Sequence, residues 1–286
     1  MAGTTGDHNH VTLRFPTAGL ALERPEIGAN ARIGLLVVAL LLMSCTHVQS
    51  EHSDSAGVIE WIENKCGTEL VIDDVKDSLA ALGGGYSALD PRREILGPSL
   101  LLLKHALGKY PFGACQCASF NKLILVSQLK EEGVDQIGFT QLVQGTIVLS
   151  LDQDGKGTAY DLERKFHHEF FHLLDFAYDS ETELDYEWIS LNYEGFEYGS
   201  AASDLWYDPK RALRRTSRIR GFLSQYGTVS LPDDKAEVFS FLLTDPWFVD
   251  GRTFEDKIVA AKVSLLKRRL KNQCPSFGIM DFTKPL

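Results

Sequence analysis

The stretch Phe166-His167-His168-Glu169-Phe170-Phe171-His172-Leu173-Leu174-Asp175-Phe176 constrains this chain more than any other segment. Phe166, Phe170, Leu173 and Ala177 recur at helical spacing and predict a buried stripe, on a helix running from Ala159 to Tyr178. His168 and His172 stand four apart, which puts both imidazoles on one helix face about a turn from each other. A surface helix carrying stray histidines is the plain alternative. Against it, two histidines and Asp175 on so apolar a helix are costly to bury without a partner. A divalent metal is such a partner. Zinc suits two imidazoles at this spacing, and Glu169 then lies about 100° around the helix, near a water but not competing as a ligand.

Two ligands do not complete a zinc site, so a third must come from elsewhere in the chain. A glycine and a histidine further along the same segment would supply it in one known arrangement. Asp175 and Tyr178 occupy those places, so that arrangement is excluded. The gluzincin pattern, which His168-Glu169-x-x-His172 resembles, instead takes an acid from a later helix. Asp233-Asp234-Lys235-Ala236-Glu237-Val238-Phe239-Ser240-Phe241-Leu242-Leu243 reads as that helix, with Asp233 and Glu237 one turn apart.

Ahead of the motif helix, Lys122–Ser127 and Thr146–Leu151 are apolar, β-branched runs that predict strands. Thr146–Leu151 is the candidate edge along which an extended peptide could pair. Val58–Asn64, Leu70–Leu82 and Pro91–Gly108 predict helices, the second ended by Gly83-Gly84-Gly85. Asp152-Gln-Asp-Gly-Lys-Gly157 resembles part of a calcium loop, but Ser150 stands at the first ligand place, so a tight turn is expected. Residues 179–207 turn from acidic to aromatic and predict a loop, either packed on the domain or lining a cleft. Asp208-Pro209 should open a basic helix with Lys210, Arg211, Arg214, Arg215, Arg218 and Arg220, balancing the acids at 179–187. Phe254–Asn272 predicts one amphipathic C-terminal helix.

The N-terminal part reads differently. Residues 33–43 form an eleven-residue apolar run after Arg32, too short to span a bilayer but fit for a signal segment. Leu42-Met43-Ser44-Cys45 resembles a bacterial lipobox, which implies a lipidated Cys45, an exported chain and a lipid-anchored place in the cell envelope. More than thirty residues precede the run, longer than a signal peptide's charged start, and a plain signal or short anchor is the alternative. The expected division is 1–44 as extension and signal segment, 45–57 as tether and 58–286 as the folded domain. Setting Cys45 aside leaves Cys66, Cys115, Cys117 and Cys274, an even number suited to disulfides. Cys115 and Cys117 are too close to pair with each other, so each should reach Cys66 or Cys274. A net charge of −10 argues against a nucleic-acid partner, and no glycine loop for phosphate is present.

His168-Glu169-Phe170-x-His172-x-x-Asp175, Tyr226-Gly227 and Ala236-Glu237-x-Phe239 together resemble the lethal-factor-like gluzincins and related zinc-binding metallopeptidases of bacteria, over about residues 120–245. The resemblance implies an α+β, zincin-like catalytic domain, with a small sheet packed on the motif helix and a mostly helical C-terminal part. It implies zinc on His168 and His172, Glu169 as general base, Tyr226 as a donor to the oxyanion, and a peptide or protein substrate. The family's later helix tends to read Glu-x-x-Ala-Glu with the first Glu on the metal, and Asp233 stands there in this chain. Either Asp233 binds with Glu237 in support, or Glu237 binds. The longer side chain favours Glu237. An inactive zincin fold serving as an envelope binding module is the second reading, and the intact Glu169 weighs against it.

Overall fold

The computed structural model describes residues 55–151, 159–179, 184–199, 214–280 and 282. The expected signal segment, Cys45, the expected tether as far as residue 54, the expected turn at 152–157 and the start of the expected basic helix lie outside these residues. All described residues belong to one unit. Among them no helix is long and apolar enough to cross a membrane.

Strand β3 (Lys122–Glu131) organises the fold. It lies between β1 (Glu69–Val71) and β6 (Thr146–Ser150), parallel to both, with Leu123 opposite Ile147 and Leu125 opposite Leu149. Side chains alternate along a strand, and these two strands are buried on both faces. Leu123, Leu125, Ile147 and Leu149 therefore enter the main core, while Ile124, Val126 and Val148 enter a smaller one with Val75 and Leu79. Strands β2 (Tyr86–Leu89) and β4 (Val134–Asp135) pair antiparallel with the far end of β3. The sheet ends at β5 (Gly138–Gln141), antiparallel to β6.

The edge strand is therefore β5, not the Thr146–Leu151 run. Every residue of β6 is buried between β3 and β5. Gly-Phe-Thr-Gln is short and lacks the apolar signature of a strand, whereas the strong signature of β6 reflects interior burial. Gly138 is needed at this edge, because a Cβ there would sit 2.9 Å from the Val148 carbonyl oxygen.

Helices α1 (55–66), α2 (Val75–Leu82), α3 (Arg93–Gly108) and α4 (Ala114–Cys117) surround the sheet. The predicted helix over Leu70–Leu82 splits, since Glu69–Val71 joins β3 as a strand and the helix starts only at Val75. Gly83 ends α2 with φ 76°, a conformation that favours glycine. The motif helix is α5 (Ala159–Tyr178). Phe166, Phe170 and Leu173 are buried as expected, but Ala177 is exposed in the last turn. Helix α6 (Tyr186–Ile189) is one turn long, and α7 (Leu231–Thr244) packs against α5. Their seam is aromatic: Phe171 and Phe239 lie with ring centroids 5.1 Å apart, and Tyr110 stacks on Phe170 at 4.3 Å.

The C-terminal helix is two helices, α8 (Pro246–Glu255) and α9 (Lys257–Gln273). Asp256 causes the break. Its carboxylate accepts from the Ile258 and Val259 amides as an N-cap, and also from Gly221 and Arg252. Residues 214–220 are not helical, contrary to the expected basic helix. The acids it was expected to balance find other partners: Asp185 pairs with Arg269, and Glu187 with Arg268 at 2.5 Å and Arg269 at 2.8 Å. Those cations lie on α9, far along the chain, so the pairing is tertiary and no local charge pattern shows it. Disulfides Cys66–Cys115 and Cys117–Cys274 tie α1 to α4 and α4 to the end of α9, one of the two pairings left open above.

Candidate metal centre

Helix α5 presents His168 and His172 on one face, with ring centroids 4.7 Å apart. Helix α7 brings Asp233 to them. Asp233 Oδ1 lies 3.4 Å from His168 Nε2 and 3.7 Å from His172 Nε2, and the three donor atoms all fall within 4.8 Å of one another. The start of α7 fixes this carboxylate. Ser230 is the N-cap, accepting from the Asp233 amide at 3.1 Å while its own hydroxyl donates to Asp233 Oδ2 at 2.6 Å. Oδ2 is thereby occupied, and Oδ1 is left facing the imidazoles.

Glu237, one turn on, has a different position. It is buried, accepts from Arg164 Nη1 at 2.9 Å on both oxygens, takes the Ser224 hydroxyl, and meets His168 Nδ1 at 3.0 Å. A proton on Nδ1 donated to Glu237 leaves Nε2 with its lone pair towards Asp233 and His172. This is the usual way a carboxylate orients a metal-binding histidine. Asp175, the third polar group on the helix, pairs with Lys235 at 2.5 Å and stands apart from the donors.

The donor set fits zinc. Bonds of about 2.05 Å in a tetrahedron require ligand separations of roughly 3.3 Å, close to the spacings from Asp233 to the two imidazoles. The electrostatics agree. Burial works against charge throughout the site, yet hydrogen bonds to Asp233 and Glu237 push His168 up to about 10. Burial and the neighbouring His168 charge push His172 down to about 3. Burial would raise both acids, but the histidines and Ser230 hold Asp233 below the usual carboxylate range, and Arg164, His168 and Ser224 do so for Glu237. Acids that stabilise a proton on His168 make a field that equally attracts a metal cation.

Glu169 is half-buried beside this cluster. Its Oε2 accepts from the Thr140 hydroxyl of β5 at 2.6 Å, so the sheet edge and the motif helix hold it jointly. Burial raises its pKa, with His168 and Thr140 pulling the other way. Tyr226 sits in a 3₁₀ turn (Tyr226–Thr228), its ring 5.5 Å from that of His168. Burial first, then the Asp233, Glu169 and Glu237 charges, raise it well above the ordinary phenol value. Its hydroxyl therefore stays a donor. A pocket of about 50 Å³ opens here, lined by Gln136, Ile137 and Gly138 of the sheet edge and by Arg164, Lys165, His168, Glu169, Tyr226 and Glu237.

His168, Glu169, His172, Tyr226, Asp233 and Glu237 thus lie together, and Asp175 does not join them. Four more belong with them: Thr140, Arg164, Lys165 and Ser230. Ser230-x-x-Asp233 before an apolar run is a readable capping box. Arg164 and Lys165 stand four residues before His168 and Glu169, a helical spacing that puts them on the same side of α5 as those residues. Thr140 carries no such signal.

No protein-family model matches the chain, and no curated protein is significantly similar to it. The fold has a solved counterpart. The crystal structure of a "putative zinc-binding metallo-peptidase" from Bacteroides caccae superposes with a TM-score of 0.51 at 14% identity, covering 82% of this chain and 93% of that one. The fold is α+β and zincin-like, a small sheet packed on the motif helix with a mostly helical C-terminal part.

Proposed function

We propose that this chain is a zinc-dependent peptidase, with zinc held by His168, His172 and Asp233. The observation that carries the reading is the convergence of those three donors next to a pocket that His168 and Glu169 line. Zinc bound there supplies a Lewis acid that acidifies water and polarises a carbonyl. Glu169, steadied by Thr140, accepts the proton of the attacking water and passes it to the leaving amine. The Tyr226 hydroxyl donates to the oxygen on which negative charge develops. Glu237 is assigned to orienting His168, with Arg164 as its counter-ion. The outer edge of β5 offers main-chain groups to an extended peptide, next to Glu169.

The test is metal content. Purified protein should hold about one zinc per chain, and His168→Ala or His172→Ala should lose it, because two remaining ligands hold the ion too weakly. Wild-type protein that neither contains zinc nor takes it up on titration sinks the reading.

The proposal extends to location. The apolar run 33–43 and Ser44-Cys45 support export and lipid attachment at Cys45, and two disulfides suit an oxidising compartment. In a bacterial host, labelled fatty acid should enter the wild-type chain and not Cys45→Ser. Unlabelled wild-type protein would show that the anchor is absent.

A further inference from the structure

Lys165 is 5% exposed, yet it is one of the residues that line the pocket. Its Nζ donates to the carbonyl oxygens of Ile137 and Ser150, 3.2 Å each, where the chain enters β5 and leaves β6. An ammonium has three donors, and these contacts use two. Among the described residues no carboxylate lies within ion-pair distance of it. Its neighbours in the pocket are otherwise engaged: Arg164 holds Glu237, and Thr140 holds Glu169. Glu169 and Asp161 act on Lys165 only at a distance, so a buried charge whose direct contacts are two neutral carbonyls remains costly.

Building on the peptidase reading, we propose that Lys165 forms a subsite for a carboxylate of the substrate next to the scissile bond. A carboxylate satisfies the third donor and brings a negative charge into direct contact with the ammonium, whereas a carbonyl satisfies only the donor. The pocket has room for a carboxylate on a short stem. Burial, aided by Arg164 and opposed by Glu169 and Asp161, lowers the Lys165 pKa to about 8, so the ammonium persists at neutral pH. The carboxylate has two possible sources, an acidic side chain or the C-terminus of a short peptide.

Calorimetry on zinc-loaded wild-type protein separates them without requiring turnover. One pair of probes is N-acetyl-glutamyl-glycinamide and its glutaminyl counterpart; the other is N-acetyl-glycylglycine and its amide. Binding of the acid is expected to be roughly 10–100-fold tighter than of its amide in one pair, and that pair identifies the source. Lys165→Gln keeps N–H donors on a side chain one bond shorter but carries no charge, and it should reduce the ratio to near one. Equal binding of acid and amide by the wild type, or no binding of any probe, overturns the proposal. So does a preference that survives Lys165→Gln, which then belongs to the metal. If the preference depends on Lys165 but no peptide is cleaved, the subsite stands and the peptidase reading falls.

Discussion

Glu169→Gln is expected to lower peptide hydrolysis by about 10²–10⁴-fold while zinc stays at one per chain. The substitution preserves shape, and the Thr140 hydroxyl can donate to the Gln oxygen as it does to Oε2. Neither donor histidine is touched, and Asp233 Oδ1 keeps its place through Ser230. What disappears is the carboxylate that takes the proton from water. The measurement is cleavage of a mixed peptide library beside zinc analysis of the same samples. Undiminished cleavage by the variant would remove Glu169 from the chemistry. If neither protein cleaves any peptide although zinc is bound, the binding-module reading becomes the better one.

The parts of this architecture that sequence reveals are those whose pattern is local. Helix α5, helix α7 and the buried strands β3 and β6 announce themselves by period and by β-branched composition. Strand β5 does not, because Gly138–Gln141 owes its conformation to β6 and to the space that Gly138 leaves. The break at Asp256 is legible only once Gly221 and Arg252 are known to converge on it. Among site residues, the motif carries His168, Glu169 and His172 unaided. The choice between Asp233 and Glu237 is of another kind. Side-chain reach favours Glu237, but reach matters only when the helices are far apart. Here α7 lies against α5, and the proposal of Asp233 rests on the nitrogen that each acid faces: Nε2 for Asp233, Nδ1 for Glu237.

That difference makes Asp233→Asn and Glu237→Gln the most informative pair, and their effects should cross. Asp233→Asn removes a charged donor from the cluster, so zinc affinity should fall on the order of 10³-fold, using the usual cost of removing one buried charge from its partner. Its effect on folding should be smaller, since Asp233 keeps one flank to water and Ser230 can still cap α7 through the backbone amide. Glu237→Gln leaves the inner donors in place and only loosens the orientation of His168, which typically costs about 10–100-fold in metal affinity. Its folding cost should be the larger, about 3–5 kcal/mol, because the buried Arg164 guanidinium loses the carboxylate that holds it on two oxygens. Zinc titration against a competing chelator reads the first quantity, and urea unfolding of the zinc-free proteins reads the second. If Glu237→Gln instead loses far more zinc affinity than Asp233→Asn, Glu237 is the ligand. His168 would then bind through Nδ1, and α7 would have to shift relative to α5.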